Sequence, residues 1–259
     1  GNDVSGNDND FTVAGETSAN WTYDRPADDG TTTGNLNTWN PISKSGQTSS
    51  ATYTQGNKTS TSGATGTTQN GTIATSSGKW YCEVLINSTG SNYPLVGVAD
   101  PVTDQDAWNF AGAGVRSGDG YGTTYPFSAS TAYLGAGYGA ADVLMVALDQ
   151  DNGGVWIGLN DVWGNSATTG EIEAGTTTNA LAKTSTWAAL SDGTYLSIGG
   201  ADYTSGMTLR TSESEFSYTM PTGFSVIATQ SLPAPTVTNP SLNFLPVLYE
   251  GNGTGQRVG

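Results

Sequence analysis

The chain has no histidine and a single cysteine, Cys82, so the usual bases and soft metal ligands are missing and carboxylates are the main reactive groups left. Ser-His-type nucleophiles need a base, and the common zinc sites need His or several Cys; neither can be assembled here. A carboxylate pair for glycoside hydrolysis is conceivable because Asp and Glu are present, the candidates being Asp149 and Asp151, and Glu171 and Glu173. Asp149 and Asp151 lie in Asp149-Gln150-Asp151-Asn152-Gly153-Gly154, a turn cluster in which Asp is favoured for backbone reasons alone. Glu171 and Glu173 lie in a polar stretch, where solvated surface is the simpler reading. The glycines of GAGVRSGDGYG and GAGYG suggest phosphate loops, but no GK[ST] or helix signal follows them. The opening GNDVSGNDND lacks the acidic spacing of an EF-hand. The reading is therefore not an enzyme, with no cofactor and no metal.

Aromatic rings are the second kind of candidate. The region from Asp100 to Gly139, rich in Gly, Tyr and Ser, carries Trp108, Phe110, Tyr121, Tyr125, Phe127, Tyr133 and Tyr138. Tyr and Trp among Gly, Ser and Asn make adaptable binding surfaces, and their flat faces also stack on sugars. The competing reading is that these rings plug the end of a sandwich. Trp108, Phe110, Tyr121, Tyr125 and, beyond the central hairpin, Trp163 are the partner-binding candidates.

The elements that must position these groups are strands. In Asp142–Trp163 two apolar runs, Val143–Leu148 and Val155–Leu159, flank the Asp/Asn/Gly cluster, and Asn160-Asp161 marks a second turn. The period is two: Val155, Ile157 and Leu159 share one face and Trp156 the other. GKWYCEVLIN alternates in the same way, with Trp80, Cys82, Val84 and Ile86 on one face and Tyr81, Glu83 and Leu85 on the other. Apolar residues on both faces imply a central strand covered on both sides. Trp80, Trp156 and Trp187 read as core, and Cys82 as a buried inert thiol. Further strands are expected at Ala51–Gln55, Gly71–Thr75, Tyr93–Ala99, Trp187–Leu190, Tyr195–Gly200, Gly206–Arg210, Phe216–Tyr218, Phe224–Ala228 and Phe244–Tyr249, with none placed between Asp100 and Gly139.

Composition agrees with an all-β fold. Only 12% of residues are charged, against roughly 25% in an ordinary globular protein, and the Gly, Ser, Thr and Asn that replace them are poor helix formers. A net charge of −15 with eight basic residues argues against nucleic acid and anionic membrane surfaces. No apolar run approaches the roughly 18 residues of a membrane span, so no membrane insertion is expected. Five Asn-x-Thr sequons, at Asn20, Asn57, Asn70, Asn87 and Asn252, arise easily in a chain so rich in these residues. Three segments are expected: an extended N-terminal arm at 1–47 pinned by Phe11, Val13, Trp21, Leu36, Trp39 and Ile42, a β-sandwich at 48–230, and a Pro-spaced linker with a further strand at 231–259. A chain that starts at Gly1 reads as processed or as part of something longer.

The series Asp-Val-x-x-Val-Ala-Leu-Asp-x-Asp-Asn-Gly-x-Val-Trp-x-x-x-Asn-x-Val-Trp over Asp142–Trp163 resembles the central motif of SPRY domains, most of all those in structural proteins of tailed marine bacteriophages. SGNDNDFTVAG, DRPADDGTTTGNLNTWNP, SSGKWYCEV, LVGVAD and PTGFSVIATQSLPAP extend the resemblance in order, and VLYEGNGTGQRVG resembles the opening of the segment that follows such domains. Cys82 replaces a more usual aromatic, and Asp161 stands where Gly is frequent. The resemblance implies a bent antiparallel β-sandwich of the concanavalin-like jelly-roll kind that binds partners through loops at one end, without enzymatic activity. It further implies a virion or extracellular protein, as a tail fibre, tail-associated or capsid-decorating subunit. Its expected partners are other virion proteins and a host-surface glycan or protein, in a homo-oligomer. The alternative is a bacterial cell-surface adhesin or carbohydrate-binding module.

Overall fold

The computed structural model describes residues 35–42, 51–63, 67–90, 94–101, 112–117, 121–124, 131–202 and 204–233. These residues form strands β1 (Ala51–Thr54), β2 (Thr59–Ser62), β3 (Thr67–Asn70), β4 (Lys79–Ser88), β5 (Leu95–Ala99), β6 (Gly112–Arg116), β7 (Tyr121–Thr124) and β8 (Thr131–Ala132). They continue with β9 (Val143–Asp149), β10 (Gly154–Leu159), β11 (Val162–Trp163), β12 (Ala182–Lys183), β13 (Ser197–Asp202), β14 (Gly206–Arg210) and β15 (Ser225–Val226). One sheet runs β1-β2-β14-β4-β9-β10-β11, with β12 against β10 and β15 against β4; the other runs β3-β13-β5-β6-β7-β8. Every pairing is antiparallel except β15 on β4. The fold is all-β, two antiparallel sheets face to face, with one five-residue helix, α1 (Thr169–Glu173), among the described residues.

The alternation in β4 sorts its side chains as read from sequence. Trp80, Cys82, Val84 and Ile86 enter the layer between the sheets, where they meet Val96 and Val98 of β5, Leu144, Val146 and Leu148 of β9, and Val155 and Ile157 of β10. Tyr81 points to the other side and packs with Met145, Trp156, Trp163, Ile172 and Phe224. This outer layer exists because α1 and the stretch from Ser212 to Phe224 lie over the first sheet, giving its central strands two buried faces. Glu83 anchors the cover. Its fully buried carboxylate accepts hydrogen bonds from Ser217 N (2.7 Å), Tyr218 N (2.8 Å) and Tyr81 Oη (3.1 Å), and Arg210 Nη1 lies 3.5 Å away. Such a charge is tolerated in the interior only with this many donors. Phe216 meets Tyr81 edge to face at 4.9 Å between ring centres.

Both turn clusters behave as their residue types require. Gly153 takes φ +69° at the β9–β10 turn, and Asn160 and Asp161 take φ +48° and +71° before β11. Asp161 thus adopts the left-handed region that Gly would enter at no steric cost.

Other expectations are corrected. Three strands, β6, β7 and β8, occupy the region read as patternless. The strand expected at Gly71–Thr75 lies earlier, at Thr67–Asn70, with Gly71 and Thr75 making only isolated bridges. Trp187 is buried as expected but precedes a 3-10 turn, Ala188–Leu190, and Phe216–Tyr218 forms a bend rather than a strand. Leu36 and Trp39 of the expected arm bridge Ala228 and Gly71, so this part of the arm is stitched into the sandwich, whereas Ile42 is exposed. Phe11, Val13, Trp21 and the expected strand Phe244–Tyr249 lie outside the described residues.

Candidate functional site

One end of the sandwich is built from turns that hold each other. The β9–β10 turn sits beside the loop before β4. Asp151 Oδ1 accepts from Gly78 N at 2.7 Å, and Gln150 N donates to Gly78 O at 2.9 Å. Gln150 is buried and ties the two sheets together at this end. Its Nε2 donates to Thr75 O (2.8 Å) and Thr194 O (3.3 Å), and its Oε1 accepts from Thr75 Oγ1 (2.7 Å). Asp149, also buried, pairs with Lys79 Nζ at 3.2 Å and accepts from Asn152 N and Nδ2 at 2.9 and 2.8 Å. Thr184 and Ser191 share a hydrogen bond of 3.0 Å, and Asp192 accepts from Thr194 N at 2.9 Å. Tyr195, next to Thr194 of this frame, is 61% exposed.

The register shows which strand ends lie together. Ser197, two residues after Tyr195, pairs with Ala99 at the end of β5, and Ala99 pairs with Gly112 at the start of β6. Ala113 pairs in turn with Thr124, the end of β7. The end of β5, the start of β6 and the end of β7 therefore lie at the same end as Tyr195, Asp151 and Asp192. Of the aromatics singled out from sequence, Trp108, Phe110 and Tyr125 lie outside the described residues. Tyr121 and Trp163 belong elsewhere. Tyr121 begins β7 at the opposite end, opposite Ala132, and Trp163 in β11 is 8% exposed and packs in the outer layer over the first sheet.

That opposite end is filled. Tyr138 is buried with its hydroxyl 2.8 Å from Pro94 O and 2.9 Å from Val115 O, and its backbone N donates to Ser117 O. Tyr133, also buried, donates to Asn179 O at 3.4 Å. A Cβ at Gly164 would come within 2.2 Å of the Tyr133 ring, so glycine there is a packing requirement. Burial pushes the phenols of Tyr133 and Tyr81 well above their ordinary range, as it does the thiol of Cys82. Asp142 and Asn160 close the adjacent turn through a 2.7 Å side-chain bond.

Glu171 and Glu173 make hydrogen bonds within the fold. Thr168 caps α1 in a reciprocal box with Glu171, and Glu173 Oε1 accepts from Thr222 N at 2.7 Å. The Thr168 backbone amide holds the Glu171 carboxyl below its usual range, the Thr222 amide does so for Glu173, and the Thr194 hydroxyl does so for Asp192. Among the described residues no cluster of His, Cys, Asp and Glu could hold a metal. Tyr195 was read from sequence as the first residue of a strand, and Gln150 as one turn residue among six. An alternating run beginning with Tyr cannot show that its first ring lies beyond the sheet.

No family model matches this chain, and no curated protein matches it. Among solved structures it is similar to the SPRY domain of human HERC1, at 14% identity and a TM-score of 0.49 over 66% of this chain and 96% of that one. It is also similar to a human SPRY domain, at 13% identity and a TM-score of 0.41 over 59% and 91%. Likeness this remote bears on neither mechanism nor partner, and the two-sheet architecture rests on the strand pairings themselves.

Proposed function

We propose that this chain is a non-enzymatic binding protein of a bacteriophage particle, a fibre, tail-associated or capsid-decorating subunit that grips a protein or host-surface partner through one end of its sandwich. The observation that carries the reading is the register. It brings the β9–β10 turn, the ends of β5 and β7, the start of β6 and exposed Tyr195 to one end, over turns locked by Gln150, Asp149 and Asp151. Loops on a rigid frame are the usual place for recognition. The resemblance of Asp142–Trp163 to phage SPRY motifs supports the virion setting, as does the acidic, lysine-poor composition, which suits a salty exterior. Mass spectrometry of purified particles should find the chain at fixed stoichiometry; particles without it remove the virion role.

The second reading is a surface adhesin or carbohydrate-binding module. Tyr195 favours it, because an exposed tyrosine ring can stack on a sugar. Strong glycan-array hits lost on Tyr195→Ser or Trp108→Ala would support it. Turnover of a polysaccharide abolished by one Asp or Glu change would overturn both readings.

A further inference from the structure

Polar side chains enter the space between the sheets at one edge, where β2 of the first sheet lies over β3 of the second. The segment Leu36–Asn40 closes that edge. Trp39 N donates to Asn57 O at 3.0 Å, Asn40 N to Asn70 O at 2.8 Å, and Thr38 O accepts from Thr72 N at 2.8 Å. Trp39 bridges Gly71, which turns its ring into the core. Gln69 pairs with Gly200 on β13, and Ser60 pairs with Met207 on β14. A Cβ on Gly200 would lie 2.8 Å from Met207 Sδ, so these two pairs face each other across the layer. A Cβ on Gly71, two residues along from Gln69, would lie 2.6 Å from both Asn37 Nδ2 and Oδ1. Asn37, Trp39, Gln69 and Ser60 therefore converge on the inside of this edge.

All four residues are 0% exposed, and five of their side-chain atoms have no hydrogen-bond partner: Asn37 Nδ2, Trp39 Nε1, Ser60 Oγ, Gln69 Nε2 and Gln69 Oε1. The Asn37 amide cannot be turned to relieve this, because its Oδ1 already accepts from Ile73 N at 2.9 Å. A buried polar atom left unpaired is costly, and five gathered at one place point to a ligand rather than to tolerated defects.

We propose that this edge is a specific internal hydration site, in which ordered water joins Gln69, Ser60, Trp39 and Asn37 and pins Leu36–Asn40 to both sheets. The chemistry favours water. Three of the groups are N–H donors against one obligate acceptor, Gln69 Oε1, and water can accept two bonds and donate two. Side chains sealed so completely from bulk solvent suit a molecule of that size and exclude a metabolite.

The test is NMR on the ¹⁵N-labelled full chain, reading the Trp39 indole N–H against water. The site gives a cross-peak with the sign of a long-lived complex, and Gln69→Met, which keeps the volume and removes two anchoring atoms, weakens it several-fold and lowers Tm. An indole with no water cross-peak overturns the proposal. So does a rise in Tm for Gln69→Met, the response of polar atoms trapped dry. Should Gln69→Met not fold, Ser60→Ala removes one anchor at little cost in volume and gives the same reading from the cross-peak.

Discussion

The two ends of the sandwich use the same residue types for different purposes. At one end Tyr133 and Tyr138 turn inward, and their hydroxyls meet backbone carbonyls from other parts of the chain. At the other, Tyr195 turns outward over turns whose polar groups are already paired with each other. A buried tyrosine needs an acceptor within reach of its hydroxyl once the ring is covered. Polar pairing at the Tyr195 end leaves the frame rigid and the ring free, which is the arrangement a binding surface needs.

Breaking the closed end should cost most. Tyr138→Ala removes a buried ring and leaves two carbonyls without their donor, and urea unfolding should show a loss of about 3–5 kcal/mol. Losing the frame of the open end should cost less. Gln150→Leu keeps the burial but strips the hydrogen bonds to Thr75 and Thr194, for a loss of roughly 1–3 kcal/mol by the same measurement. A larger loss at Gln150 than at Tyr138 would invert the comparison.

A smaller effect follows from the carboxylates. Asp192 at the open end, and Glu171 and Glu173 on α1, are held below their ordinary range by hydrogen bonds. The unfolded chain binds these protons first as pH falls, so their contribution is present above the ordinary carboxylate range and lost as pH drops through the lowered folded values. Thermal unfolding followed from about pH 6 to about pH 2 should show this decline, and Asp192→Asn should remove only its own share. The smallest effect belongs to the exposed ring. Tyr195→Ser should change stability by no more than about 0.5 kcal/mol while weakening attachment to any partner that uses this end.

Strong alternation made much of the first sheet legible. β4, β9 and β10 carry large apolar residues at period two, and Asn/Asp/Gly clusters mark their turns, so both faces of these strands could be read directly. The second sheet was harder because backbone does part of the packing there. Gly199, Gly97 and Gly114 lie side by side across β13, β5 and β6, and a Cβ on Gly97 would fall 2.0 Å from Ala113 O. Close approach of that kind leaves GAGVR without the bulky alternation that signals a strand. β3, Thr-Thr-Gln-Asn, hid for a related reason: it is buried but wholly polar. The Tyr195 end was invisible because its described turns come from separate stretches of the chain, and only the register of both sheets brings them together.

The asymmetry of the two ends can be read most directly by nitrating the tyrosines of the folded chain and mapping the products by mass spectrometry. Tyr195 should be modified readily, whereas Tyr81, Tyr133 and Tyr138, buried in the core and its cover, should react only after unfolding. Nitration of Tyr133 or Tyr138 in the native chain as fast as Tyr195 would contradict the account.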